Sequence, residues 1–260
     1  MAITLRSRRE IELMRQAGAV VADVLSELQR IAVPGATTAH LDGVALRMTA
    51  TAGAEALFKG VRSPQARRPF PGAICASVND EVVHGIPSDK AVLKAGDILS
   101  IDFGVRLNGY CGDAAVTVPI GEITPENRRL VDTTREVLGI AISLAKPGVR
   151  WSQVAGRMQD LAETRGFSVV RDFVGHGIGS RMHEDPKVPN FVSEELLADD
   201  ILLTEGMVIA VEPMINAGGY AVRTVNNGWT VVTKDGKCSA HFEHTIAIVK
   251  GGCEVLTRER

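Results

Sequence analysis

Aromatic residues are scarce: Phe, Tyr and Trp together make up 4% of the 260-residue chain. Core volume must come from Ala, Val, Ile and Leu instead, and 45% apolar residues suffice for one large domain or two fused smaller ones. Cysteine is also sparse. Cys75, Cys111, Cys238 and Cys253 lie far apart with no C-x-x-C pair, which argues against a thiolate zinc knuckle or a disulfide framework and for free thiols in a reducing compartment. Neither sign of charge dominates. The 29 basic and 31 acidic side chains give a net charge of −2, so the chain lacks the electrostatic footprint for direct nucleic-acid binding. A basic cluster near the start, Arg6, Arg8, Arg9 and Arg15, reads as a solvated helix face. No apolar run approaches the length of a membrane span, and charges recur through Arg15 where a signal peptide would need an apolar stretch. The expected location is cytoplasmic, without membrane contact.

Periodicity supplies the elements. Ser7 followed by Glu10 is a capping box, and Ile11, Met14, Val21, Val24, Leu25, Leu28 and Ile31 recur at helical spacing until Pro34-Gly35. A second helix is expected after Thr37-Thr38, with Leu41, Val44, Ala45 and Met48 on one face, ending near Gly53. Extended segments follow near 73–78, 82–84, 98–107 and 110–118. The pattern then restarts. Thr124-Pro125-Glu126 opens a helix running to Lys146-Pro147-Gly148, and Ser152 opens another that ends near Gly166. Strands are expected again near 168–171, 207–215, 229–233 and 238–249, the last two joined by a turn at Lys234-Asp235-Gly236-Lys237. Two helices and then strands, twice over, suggest two similar halves, about 1–120 and 121–260. Such halves would form an α+β architecture: one curved sheet with helices on its outer face and the inner face free for chemistry.

That inner face collects acids where a core should be. Asp102 interrupts Ile98-Leu99-Ser100-Ile101 and Phe103, and Asp113 precedes Ala114-Ala115-Val116, so both need a partner or a metal. Asn108-Gly109 is a two-residue hairpin signal that pairs 107 with 110 and 104 with 113. Asp102 and Asp113 then share a face as diagonal neighbours with Cα atoms roughly 7 to 8 Å apart, a spacing that could hold two cations roughly 3.5 to 4 Å apart. Gly104, opposite Asp113, would leave room for them. A bulge at Tyr110-Cys111-Gly112 would break this register, and two acids at a solvent-facing hairpin are the plainer alternative. Glu212 and Glu243 repeat the anomaly in the second half, and His176 stands among glycines where imidazole can be a neutral ligand. Each of these, taken singly, also reads as structural. Together they make an oxygen-rich set suited to Mn, Fe(II), Co or Zn, with hydrolysis the natural use.

At these residues the chain resembles the methionine aminopeptidases, in the short bacterial type I form of the pita-bread metallopeptidase fold. The motifs that carry the likeness are 79–87 (Asn-Asp-Glu-Val-Val-His-Gly-Ile-Pro), Ser100-Ile101-Asp102 with Gly112-Asp113-Ala114-Ala115, and Gly175-His176-Gly177-Ile178-Gly179. His183-Glu184-Asp185-Pro186, Val211-Glu212-Pro213 and Phe242-Glu243-His244-Thr245 complete it. The resemblance implies a single catalytic domain over 1–260 in which Asp102, Asp113, His176, Glu212 and Glu243 hold two divalent metal ions (Co, Mn, Fe or Zn). It implies that Asp113 and Glu243 bridge them, that Glu212 handles the proton of the attacking water, and that His84 and His183 face the substrate. Cys75, Phe70 and Trp229 fall at positions of the methionine pocket, and each also reads as plain core. The implied reaction removes the initiator Met, after deformylation, from nascent chains whose second residue is small. A monomer and a transient ribosome contact are the implied state and partner. Three positions depart from the family pattern: Met182 where an aromatic is usual, the stretch 63–71, and His241 where a glutamine is more usual. An Xaa-Pro peptidase and a non-catalytic binding protein of the same fold are the alternatives; the first is opposed by the lack of a large N-terminal domain, the second by a full ligand set.

Overall fold

The Ser7–Glu10 capping box closes as its spacing predicts: the Glu10 amide donates to the Ser7 hydroxyl and the Ser7 amide to the Glu10 carboxylate. In the computed structural model, which describes residues 3–258, helix α1 (Arg8–Ile31) starts there and buries Ile11, Met14, Val21, Val24, Leu25 and Leu28 along one stripe. Helix α2 (Thr38–Thr51) begins at its Thr37 cap and buries Leu41 and Ala45. Strands β1 (Glu55–Ala56), β2 (Ile74–Val78), β3 (Glu81–Val83), β4 (Ile98–Leu107) and β5 (Tyr110–Pro119) follow. Helices then return. After α3 (Pro125–Leu144) and α4 (Trp151–Thr164) come β6 (Ser168–Val169), β7 (Gly175–Gly177), β8 (Glu184–Val188), the short α5 (Glu194–Ala198) and β9 (Val208–Val211). The chain ends through β10 (Met214–Asn216), β11 (Val222–Thr224), β12 (Val231–Thr233), β13 (Ser239–His241), β14 (Glu243–Val249) and β15 (Gly252–Val255). No helix among the described residues is long and apolar enough to cross a membrane.

One nine-stranded antiparallel sheet organises the molecule, in the order β1-β4-β5-β14-β9-β7-β8, with β2 on β4 and β15 on β14. It is curved, and the β5–β14 pair joins its earlier and later strands. Side-chain alternation gives the sheet two unlike faces. On β4, Leu99, Ile101, Phe103 and Val105 pack with Val21, Leu25 and Leu28 of α1, while Ser100, Asp102 and Gly104 point the other way. On β9 and β14, Ile209, Val211, Ile246 and Ile248 pack with Val137, Leu138 and Met158 of α3 and α4. The helices therefore cover one face and leave the acids on the other. Contact between α1 and β5 is backbone-close: a Cβ on Gly112 would lie 2.8 Å from the Gly18 nitrogen.

Several expectations need correction. Arg6 is not part of a solvated helix face: it precedes α1, its side chain is 8% exposed, and it pairs with Glu184 and Glu10. The expected strand 207–215 is two strands, because Glu212-Pro213 breaks it and Pro cannot continue a ladder; β10 joins a separate sheet with β13 and β6. The expected strand 238–249 likewise breaks at Phe242 into β13 and β14. The turn at 234–237 does not make a hairpin, since β12 pairs with β11 and β3 while β13 pairs with β10. Ser152 lies inside α4 rather than before it, and Asp200 caps that helix end by accepting from the Ser152 amide and hydroxyl.

The tight α1–β5 seam makes a paired prediction. Gly112→Ala pushes a methyl into backbone that cannot yield without moving α1, and should lower stability by about 1–3 kcal/mol. Gly139→Ala, in an exposed stretch of α3 with nothing within 4 Å of the added Cβ, should raise it by about 0.4–1 kcal/mol. Thermal unfolding midpoints moving in the same direction for both variants would contradict this account of the seam.

Candidate metal centre

The hairpin forms with the expected register. Asn108 and Gly109 both take positive φ, at 52° and 84°, and pairing runs without a bulge from Leu107↔Tyr110 to Ile98↔Pro119, setting Gly104 opposite Asp113. Asp102 pairs with Ala115 on β5, and Ala115 pairs with Glu243 on β14. Val211 of β9 pairs with His244, so Glu212 continues that same row across the sheet. A second row lies two residues further along. There Gly104 faces Asp113, the Thr245 hydroxyl accepts from the Asp113 amide at 3.1 Å and donates to its carbonyl at 2.8 Å, Thr245 pairs with Ala210, and Ala210 with His176. Residues two apart on a strand share a face. The two rows thus deliver Asp102, Glu243 and Glu212, then Asp113 and His176, to one side of the sheet, with small residues between them.

Their side chains meet. Asp113, His176 and Glu243 each offer a ligand atom within 4.8 Å of the other two. His176 Nε2 lies 3.9 Å from an Asp113 oxygen and 3.6 Å from Glu212 Oε1, while its Nδ1 bonds the Gly177 carbonyl at 2.9 Å. That bond puts the ring proton on Nδ1 and leaves the Nε2 lone pair facing the acids. Asp102 Oδ1, Asp113 Oδ1 and Glu243 Oε1 are buried with no hydrogen-bond partner. Unpaired buried carboxylate oxygens are costly, and a divalent cation is the partner that suits several at once. The donor set of four carboxylates and one imidazole therefore fits hard or borderline divalent metals.

Electrostatics describe the same demand. Burial, then the charge of Asp113, pushes the Asp102 carboxyl well up. Glu212 rises well above the carboxylate range through burial and then Asp102 and Asp113, and Glu243 through burial and then Asp113, Glu212 and Asp102. Asp113 is pushed up to about 7 by burial. The imidazoles move the other way: burial, then His183, takes both His84 and His176 down to about 4, so both are neutral at pH 7.

Every metal-ligand, catalytic and pocket residue expected from the sequence lines one cavity of about 120 Å³: the five acidic and imidazole residues above, His84, His183, Phe70, Cys75 and Trp229. His84 follows β3 in a left-handed conformation (φ 59°) and stacks edge-on against Phe173 at 5.6 Å. His183 is exposed and lies 4.3 Å from the His176 ring. Phe70 and Cys75 are buried with Phe58, and Met182 and Trp229 pack against them as an apolar wall; Trp229 meets Phe70 edge-on at 5.3 Å. Phe58 and Val61 also line the cavity and were not singled out, because 54–61 has neither helical nor alternating periodicity; the adjacent Leu57-Phe58 pair is the only signal there. His241 does not line it. Its Nε2 is buried without a partner, 4.0 Å from Glu243, too far for a hydrogen bond.

Comparison with known proteins agrees with this geometry. The metallopeptidase family M24 model matches residues 12–250. Methionine aminopeptidase 1 of Bacillus subtilis is 46% identical over 256 residues, covering 98% of this chain and 99% of the relative. The Escherichia coli methionine aminopeptidase is 38% identical, covering 99% and 94%. Among solved structures, methionine aminopeptidase from Thermotoga maritima superposes with a TM-score of 0.93 at 42% identity, covering 99% of this chain and 100% of that one. A prolidase from Pyrococcus furiosus shares the fold, at a TM-score of 0.77 and 20% identity. A metal-suited cluster on the inner face of a curved sheet, together with full-length likeness to these relatives, establishes that the chain belongs to metallopeptidase family M24, among its methionine aminopeptidases.

Proposed function

We propose that this chain removes the N-terminal methionine from deformylated nascent chains whose second residue is small, and that it does so with Asp102, Asp113, His176, Glu212 and Glu243 as ligands for two divalent ions. The single observation that carries the reading is the convergence of four carboxylates, Asp113 and Glu243 buried and Asp102 and Glu212 half-buried, and one imidazole beside an apolar wall. Bound by those ligands, divalent cations supply Lewis acidity, which polarises a carbonyl and makes water a competent nucleophile at neutral pH.

The remaining roles fall to the chain's own groups. Glu212 sits at the broken end of β9, its backbone carbonyl accepting from Asn190 Nδ2 at 3.1 Å, and its carboxylate takes the proton of the attacking water and passes it to the leaving amine. His183, on the exposed side of His176, donates to the oxyanion of the tetrahedral intermediate. His84, kept neutral by burial, hydrogen-bonds the amide beyond the scissile bond. Phe70, Cys75 and Trp229, joined by Phe58 and Met182, take the methionine side chain, since a polarizable thioether suits aromatic edges and a soft lining. Burial holds the Cys75 thiol well up, which suits a protonated wall residue rather than a nucleophile. We take residues 1–260 as one catalytic domain with halves about 1–120 and 121–260, a reading supported by the recurring helix pair and the β5–β14 seam. On this reading a cytoplasmic monomer meets its substrates in transient contact with the ribosome.

Three outcomes are expected. Glu212→Gln should lower kcat on a Met-Ala-Ser peptide by roughly 10²–10⁴-fold while circular dichroism stays unchanged; near-normal turnover would remove Glu212 from proton transfer. Chelation should abolish methionine release, and adding back a divalent metal should restore it in step with measured metal content; full activity in metal-free protein would end the metal assignment. Peptides beginning Met-Ala or Met-Gly should be cleaved and Met-Leu hardly at all. Efficient cleavage of X-Pro peptides with X other than Met would reassign the substrate.

A further inference from the structure

The loop 62–69 stands at the mouth of the cavity. Its base is closed by two backbone hydrogen bonds, Gly60 N to Phe70 O and Phe70 N to Val61 O, both 2.8 Å. Val61 and Phe70 themselves line the cavity, and Val61 is 44% exposed, so the loop springs from the rim rather than from the interior. Two contacts pin it in place. Trp229 Nε1 donates to the Arg68 carbonyl at 2.9 Å, and the loop backbone at Gln65-Ala66 seats on Gly228, where a Cβ would meet Ala66 Cα at 2.6 Å.

The charge on this segment is one-sided. Lys59, Arg62, Arg67 and Arg68 are the charged residues between Glu55 and Asp80, in a chain whose net charge is −2. All of them are exposed, and among the described residues no carboxylate lies within 4.0 Å of the Arg62, Arg67 or Arg68 guanidinium. Elsewhere Arg6, Arg15, Arg30, Arg106, Arg135 and Arg165 each hold an acid. Other surface arginines also lack an acid, so what sets this rim apart is four cations and no carboxylate over 56–79, at the mouth of the cavity.

We propose that loop 62–69 is a specificity element that recognises acidic side chains at the third to fifth positions of the peptide being cleaved. The inference rests on the aminopeptidase reading, in which the substrate's first residue lies inside the cavity and the rest leaves through the mouth. An extended peptide advances roughly 3.3 Å per residue, so its third to fifth residues pass over about 10 Å beyond the second. On that reading the chain leaves by the mouth, whose rim includes Val61 at the base of the loop. Guanidinium groups bind carboxylates in a planar fork, and an unpaired cationic rim also raises the local concentration of acidic chains.

The test uses the metal-loaded full chain and three peptides: Met-Ala-Ser-Ser-Ser, Met-Ala-Asp-Glu-Asp and Met-Ala-Lys-Lys-Lys. The acidic peptide should show kcat/KM about five- to tenfold above the neutral one, through KM rather than kcat, with the advantage shrinking in 0.5 M salt. Combining Arg62→Ser, Arg67→Ser and Arg68→Ser should erase the advantage and leave the neutral peptide unchanged. Replacing the same three arginines by glutamate should make the lysine peptide the better substrate, an inversion that misfolding cannot produce. Equal KM values for acidic and neutral peptides in the unmodified chain, or an advantage that survives the serine triple variant, would overturn the proposal. Equal peptide kinetics together with salt-sensitive RNA binding lost in the serine variant would overturn it too, and give the rim to phosphate backbones instead. Absence of methionine release from the neutral peptide by metal-loaded protein would be a different failure, that of the aminopeptidase reading itself.

Discussion

Asp102, Asp113, Glu212 and Glu243 are held so close together that burial raises every one of their pKa values, and the neighbouring acids add to the rise for Asp102, Glu212 and Glu243. An isolated carboxylate in such a place would stay protonated, and several together would push the sheet apart unless cations joined them. The rest of the inner face is arranged around that constraint. Ala115 separates Asp102 from Glu243 in one row, while Gly104 stands beside Asp113 and Ala210 beside His176 in the other, so small residues leave the space the carboxylates need. His176 is kept neutral by burial and turned by its Gly177 bond, so it contributes a lone pair rather than a competing positive charge.

Such a face can exist only because the opposite one is plain. Strand β4 alternates cleanly between apolar residues against α1 and the polar Ser100, Asp102 and Gly104, and β14 alternates between Ile246 and Ile248 against α3 and α4 and the residues Glu243 and Thr245. The hydrophobic effect fixes which way each strand faces, and a slip of one residue would bury Asp102 against helices and expose Phe103 to the cavity. Folding and site assembly are thus decided by the same alternation. The apolar wall of Phe58, Phe70 and Trp229 and the charged rim above it are added by loops, which can vary without disturbing the sheet.

How much of this was legible depends on how local each determinant is. The α1 capping box and the Asn108-Gly109 hairpin were readable because a few consecutive residues set their geometry, and the register that brings Asp113 opposite Gly104 follows from the turn alone. Strands β7 and β8 were not read as strands. Gly175-His176-Gly177 has no strand propensity, and Glu184–Val188 contains a proline; pairing with β9 decides β7, and pairing with β7 decides β8. The breaks at Glu212-Pro213 and Phe242 were missed for a related reason: apolar residues continue on both sides, and only the need to serve two different sheets interrupts them. Arg6 was read as solvated because its partner Glu184 lies 178 positions away.

By itself the sequence determined the amphipathic helices, the hairpin, the anomalous acids inside apolar strands and, through its motifs, the kind of chemistry to expect. These are matters of periodicity and short-range turn geometry, which a linear chain carries in full. The pairing of β5 with β14 and of β9 with β7 was decided only in three dimensions, because it joins residues more than a hundred positions apart, or strands with no propensity of their own. That pairing sets Glu243 beside Asp102 and Asp113, and His176 beside Glu212, turning scattered acids into one centre.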